Sequence, residues 1–225
     1  DIDEPAMLER TVRALQAVTD LPLQLDSTYP EALARGLRVC CGKPLVNSVN
    51  GEKKSLDAIL PLCKKYSAAV IGLTLDENGI PPKAEDRFAI ARRIRDAAAS
   101  YGIPARDVYI DCLTLTASAQ QAEVAETLKA LTMCKKELGV RTVLGVSNIS
   151  FGLPCREYLN VSFLTLALAA GLDLAIMNPN TESMMAAVAS FRVLMNRDKQ
   201  SADYIARYAG MTVSSAPSVV RTGNG

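Results

Sequence analysis

Apolar positions along this chain alternate between two rhythms, a helical one and a strand-like one. Met7, Leu8, Val12, Leu15 and Val18 fall at three- and four-residue spacing behind an acidic, proline-containing first turn of Asp3, Glu4 and Pro5. This predicts a helix ending near Asp20. LPLQLD (Leu21 to Asp26) then reads as a short strand, followed by a helix from Pro30 to Val39 with Ser27 and Thr28 as candidate caps. The same unit recurs: KPLVNS (Lys43 to Ser48) leads to a helix around Lys53 to Lys65. SAAVIGLTLD (Ser67 to Asp76) leads through Gly79, Pro81 and Pro82 to a long helix from Ala84 to Tyr101. DVYIDC (Asp107 to Cys112) precedes a helix over Glu123 to Leu138, and RTVLGVSN (Arg141 to Asn148) one from about Arg156 to Ala170. LDLAIMN (Leu172 to Asn178) is followed by Glu182 to Leu194, and a short helix is expected around Ser201 to Tyr208. Residues 1–210 thus form one domain, and residues 211–225 lack periodicity and are expected to be an extended or disordered tail.

Apolar strands alternating with amphipathic helices imply parallel strands joined by crossover helices. Six strands could lie in an open doubly wound sheet, but no GxGxxG turn follows the first of them. The polar residues argue for another arrangement: Asp26, Asn47, Asp76, Asp111, Asn148 and Asn178 all fall where a strand is expected to end. In a TIM (β/α)8 barrel those ends converge on one mouth, where such barrels place their active sites. The pattern fits strands three to eight of a barrel whose first two strands precede Asp1. The absence of an initial Met fits a missing natural N-terminus.

Composition narrows the chemistry. The formal net charge is +1, which gives no signature for nucleic acid or an anionic membrane, and no apolar run approaches the roughly 20 residues of a membrane span. The six cysteines show no CxxC spacing, so reduced thiols and a cytoplasmic location are expected instead of a disulfide framework or zinc site. The chain has no histidine. That removes Ser-His-Asp and Cys-His nucleophilic systems together with the commonest metal ligand. No lysine lies within a strand, which argues against Schiff-base chemistry; Lys53, Lys54, Lys64 and Lys65 read as solvated helix faces. Asp26, Asp76 and Glu77 form only a weak magnesium pattern, and no bound metal is expected. Met184, Met185 and Met195 read as core filling.

Each polar strand end, taken singly, also reads as a helix cap. Together they form a ring of carboxylates and amides, whereas a capping requirement alone would be met as readily by Ser or Thr. Such a ring suits a heterocycle with adjacent donors and acceptors. An amino-pyrimidinone such as pterin offers an N–H beside an NH2, and an ionised Asp accepts both in a fork.

The succession LQLDST, PLVNSVNGE, VIGLTLDENGIP, VYIDCL and TVLGVSNISFGLPCR resembles the methyltetrahydrofolate:corrinoid methyltransferases. This pterin-binding barrel family includes the folate domain of cobalamin-dependent methionine synthase. The likeness runs from about Asp1 to Tyr208, and SNISFGLPCR is its most specific segment. It implies a barrel that binds methyltetrahydrofolate at its mouth and exchanges the N5 methyl group with cobalamin on a separate corrinoid protein or domain. By the resemblance, Asp26, Asn47 and Asp111 bind the pterin, Arg156 lies against the ring or its carbonyl, and Ile176 supplies apolar wall. Asn148 is assigned to N5, with Asp111 and Ser147 able to relay a proton through water. Family analogy implies a homodimer. Two departures stand out: Phe151 occupies a position polar in some relatives, and Cys112 follows Asp111 where proline is common. An acidic residue that the family places after its first strand is absent with that strand. The alternatives are an incomplete barrel that binds folate without catalysis, and a relative of dihydropteroate synthase.

Overall fold

In the computed structural model, residues 3–211 are described, so all but the first residue of the expected tail lies outside the described residues. The elements run α1 (Glu4–Gln16), β1 (Gln24–Asp26), α2 (Pro30–Val39), β2 (Leu45–Val49), α3 (Lys53–Lys65), β3 (Ala69–Leu73) and α4 (Ala84–Ser100). They continue with β4 (Val108–Asp111), α5 (Ala117–Gln120), α6 (Glu123–Glu137), β5 (Arg141–Gly145), α7 (Arg156–Ala170), β6 (Leu174–Ile176), α8 (Glu182–Leu194) and α9 (Ala202–Tyr208). None of the described helices is long and apolar enough to cross a membrane.

The first helix starts as its sequence dictates. The Asp3 carboxylate accepts from the Ala6 N–H at 3.0 Å, and Pro5 sits in the first turn, where its missing donor is not needed. It ends at Gln16, short of Asp20, where the Gln16 amide donates to the Val39 carbonyl at 3.0 Å and accepts from the Cys41 N–H at 2.5 Å. One side chain therefore serves the last carbonyl of α2 and an N–H of the loop that follows it. Ser27 and Thr28 do not cap α2. The cap residue is Tyr29, without a side-chain bond, and the Ser27 hydroxyl instead accepts from the Tyr29 N–H at 3.0 Å and donates to the Glu4 carboxylate.

All six strands are parallel, in the order β1-β2-β3-β4-β5-β6, as one half-barrel sheet wrapped by helices. Alternation sorts each strand between two faces. Leu25, Val46, Val70, Val108, Ile110 and Leu144 are buried in the core beneath the helices. The alternate residues Gln24, Asp26, Asn47 and Asp111 lie on the inner face, where Ile71 and Val143 are fully buried nearer the middle. β1 and β6 are the free edges. They face one another across open space, because Gln24 and Leu174 line one hollow of ≈ 590 Å3 at the N-terminal ends of the strands, and Asp26 and Ile176 line another at the C-terminal ends.

Three strand ends fall earlier than the polar residues suggested. β3 stops at Leu73, and Asp76 lies beyond it in a tight loop paired with Gly79, whose positive φ of 88° closes the turn. β5 stops at Gly145 and yields to a 3-10 turn over Val146–Ser150 that carries Asn148. β6 stops at Ile176, two residues before Asn178. The short α5 was not foreseen, since Ala117–Gln120 carries no apolar periodicity. Met184 is core as expected, but Met195 caps the end of α8 and is 52% exposed.

Candidate active site

The C-terminal ends of β1 to β6 converge on a cleft of ≈ 620 Å3. Asp26, Asn47, Asp111, Ser147, Asn148 and Ile176 line it together, with Gln24, Thr28, Ser48, Leu73, Gly145 and Met177. Register explains the convergence: Asp26 stands beside Asn47, Leu73 beside Asp111, and Gly145 beside Ile176.

On one wall the Asn47 amide donates to Asp26 Oδ2 at 2.9 Å. This fixes the carboxylate plane while leaving its other oxygen exposed to accept from a ligand. Asp111, by contrast, is only 8% exposed, and burial pushes its carboxyl up to about 7 against the lowering effect of the Leu113 N–H, which donates to Oδ1 at 2.7 Å. A carboxyl so placed exchanges a proton near neutrality. Across the cleft, the 3-10 turn presents the exposed Asn148 amide, which forms no hydrogen bond to another described residue. Gly145 makes room for it: a Cβ there would lie 3.0 Å from Asn148 Nδ2. Ile176, 39% exposed, and Met177 supply apolar surface.

The raised Asp111 carboxyl has a consequence for stability that needs no ligand. Its folded value of about 7 lies above its ordinary 3.8, so the folded state holds the proton more tightly than the unfolded chain does. Stability is therefore undiminished by this group below about pH 4 and falls as pH rises from there to about 7, by on the order of 4 kcal/mol. Asp111→Asn keeps an acceptor for Leu113 and removes this loss. The variant is expected to melt several degrees above the parent at pH 8 and level with it at pH 4; equal differences at both pH values in thermal melts would refute the burial account.

Arg156 lies beside this cleft and not in it. Its Nε donates to Ser150 Oγ at 2.9 Å, its Nη2 to the Ser147 carbonyl at 3.0 Å, and its guanidinium stacks 4.4 Å from the Phe151 ring. It braces the turn that carries Asn148 and lines a separate polar hollow with Ser147, Asn160, Asn178 and Thr181. Asn178 behaves as a turn residue, its Oδ1 accepting from the Asn180 N–H at 3.0 Å. Asp76 is turned away from the mouth toward Arg93 (3.4 Å), so it does not join the ring of strand ends. Among the described residues no three carboxylates or thiols gather as a metal site. The resemblance assigned no site role to several residues of the cleft and its turn, Gln24, Gly145, Ser150 and Met177 among them. Gln24 was accessible from the two-residue alternation with Asp26, whereas the buried Ser150, which donates to the Ser147 carbonyl at 3.2 Å, had no signal to separate it from an ordinary loop serine.

Comparison with known proteins agrees with this geometry. Residues 1–178 match the model of a family described as pterin binding enzyme. The chain is 30% identical over 194 residues to a methylcorrinoid:tetrahydrofolate methyltransferase of Eubacterium limosum, covering 84% of this chain and 71% of that protein. It is 38% identical over 177 residues to a methionine synthase of Mycobacterium leprae (strain TN), covering 73% of this chain but only 15% of that much longer protein. Among solved structures, a Yersinia pestis DHPS in complex with a pterine-sulfa conjugate superposes with a TM-score of 0.66 at 13% identity, over 87% of this chain and 78% of that one. A Xanthomonas albilineans dihydropteroate synthase gives 0.62 at 20% identity, over 85% and 70%. These two likenesses show the fold, a parallel half-barrel related to TIM-barrel enzymes. With the family model spanning most of its length and its polar strand ends gathered at one mouth, the chain belongs to the pterin-binding enzyme family.

Proposed function

We propose that this chain moves the N5 methyl group between methyltetrahydrofolate and the cobalt of a corrinoid carried by another protein or domain. The observation that carries the reading is the presence in one cleft of an unengaged amide at Asn148 and a buried, proton-holding carboxyl at Asp111 on the neighbouring strand. The names and identities of the two methyl-transferring relatives support the same direction. Asp26, held by Asn47, accepts from the amino-pyrimidinone edge of the pterin; Ile176 and Met177 cover its face. A tertiary amine is a poor leaving group, so the methyl becomes transferable only as positive charge builds on N5. Asn148 stabilises that charge through its amide oxygen or donates when the charge is gone, and Asp111 with Ser147 passes the proton through water. The corrinoid would supply the nucleophilic metal; the chain supplies position and the proton.

The half-barrel fits strands three to eight of a (β/α)8 barrel, with two further strands seated between the free edges of β1 and β6. A cytoplasmic setting and a homodimeric assembly belong to the same reading. A second reading is a barrel that binds folate without turning it over. Calorimetric titration with methyltetrahydrofolate alongside a cob(I)alamin methylation assay separates the two: binding with no turnover would support the second, and absence of binding would sink both.

The Gly145 contact gives a finer test. Gly145→Ala places a Cβ against the Asn148 amide without demanding a glycine-only conformation, since φ is −74°. The variant is expected to fold with a melting temperature near the parent's, yet to transfer methyl about tenfold more slowly. Parental turnover would show that the amide's position is immaterial.

A further inference from the structure

Arg87, in the first turn of α4, is fully buried, an unusual place for a guanidinium unless its donors are used. They are. Nε donates to the Pro81 carbonyl at 2.7 Å; Nη1 donates to the Cys112 carbonyl at 2.9 Å, the Leu113 carbonyl at 3.2 Å and Thr127 Oγ1 at 2.7 Å; Nη2 donates to Glu123 Oε2 at 3.0 Å. The Cys112 carbonyl and the Leu113 N–H belong to one peptide unit, and a trans peptide points these two groups in opposite directions. On the far side of that plane, the Leu113 N–H donates to the Asp111 carboxyl at 2.7 Å. Leu113 itself has φ 61°, a left-handed conformation that a leucine holds only when its surroundings impose it. Arg87 grips the carbonyls on both sides of this residue. The Asp111 backbone is held separately, its carbonyl accepting from the Thr74 N–H at 3.0 Å.

We propose that Arg87 is a positioning residue for the cleft: by holding the Cys112–Leu113 peptide from behind, it fixes the orientation of the Asp111 carboxyl on the side that faces the ligand. The inference rests on the reading of Asp111 as the proton-holding group. A cation bonded to the carbonyl end of a peptide polarises it and strengthens the N–H at the other end as a donor. Loosening that grip weakens the only lowering influence on a carboxyl already raised by burial. The other charged or titratable groups near Asp111 are Asp26 across the cleft, the adjacent Cys112 thiol with Cys134 behind it on α6, and Glu123 and Glu126 on the outer side of Arg87. All of these stay in place when Arg87 is changed.

The test is carboxyl-carbon NMR of the free protein, with the Asp111 signal assigned by its loss in Asp111→Asn. Arg87→Lys keeps the charge but lacks the planar fork, and the Asp111 midpoint is expected to rise by about one pH unit. Glu123→Gln, which breaks the ion pair without releasing the carbonyls, is expected to leave the midpoint at or below the parent's. A folded Arg87→Lys protein with the parental midpoint overturns the proposal. Should that variant not fold, the slowly exchanging guanidinium protons of Arg87 in the unaltered protein decide. They are expected to shift with the same midpoint as Asp111, and a flat response overturns the proposal. No folate or corrinoid enters these measurements, so their failure leaves methyl transfer standing, and failure of methyl transfer leaves them standing.

Discussion

Replacing Asn148 with alanine is expected to slow methyl transfer by about 10²–10³-fold, the range lost when a preorganised group facing developing charge is removed. Binding of methyltetrahydrofolate should weaken far less, by under roughly tenfold, because one neutral hydrogen bond contributes only about 1 kcal/mol. The asymmetry follows from the proposed mode of binding. Asn148 stands on its own 3-10 turn, opposite the wall where Asn47 holds Asp26, so a pterin edge bound by Asp26 would keep its acceptor when the amide is gone. The buried Ile149 and Ser150 that anchor the turn are untouched. Single-turnover transfer to cob(I)alamin and calorimetric binding are the paired measurements. Equal losses in both would make Asn148 a binding residue, and no loss in either would remove it from the site.

The second large effect concerns pH. With a carboxyl at about 7, the protonated form of Asp111 is the one that, in the proposed mechanism, would deliver a proton toward N5. In the direction that starts from methyltetrahydrofolate, kcat/KM is therefore expected to be level below about pH 7 and to fall by about tenfold per pH unit above it. Asp111→Asn cannot exchange a proton. Its kcat/KM is expected to lie about 10²-fold below the parent's plateau and to lose the break near neutrality. An unchanged break in the variant would assign the ionisation to another group or to the substrate. The same substitution raises stability at pH 8, so loss of activity in a protein that melts higher cannot be attributed to unfolding.

Much of this organisation was readable from residue order because each strand–helix unit is locally self-consistent. Leu25, Val46, Val70 and Leu144 mark the helix-facing side of their strands, and their neighbours Asp26, Asn47 and Gly145 mark the other. Where the reading went astray, one signal had two physical origins. A polar residue after an apolar run can end a strand at the mouth, as Asp26 does, or close a turn on itself, as Asp76 and Asn178 do through their own carboxylate and amide oxygens. Sequence alone does not separate these cases, because the difference lies in where the next residues' N–H groups point. Arg156 shows a related limit: its interval from Asn148 was visible, but the side chain is taken by Ser147 and Ser150 of the same turn. The proton affinity of Asp111 was beyond reach for another reason, since it depends on burial by elements distant in the chain. So did the grip of Arg87, whose partners lie between 6 and 40 residues away.

The two rims of the sheet carry one more consequence. β1 and β6 are each only three residues long, while their neighbours β2 and β5 have five. An exposed strand edge is a template on which other chains can stack, and its danger grows with its length and flatness. Three-residue rims offer an incoming strand few hydrogen bonds, and Asp26 at the end of β1 adds a charge that repeated stacking would bring against its own copies. The short rims and the Asp26 charge thus both disfavour strand-on-strand stacking at the edges of the described sheet.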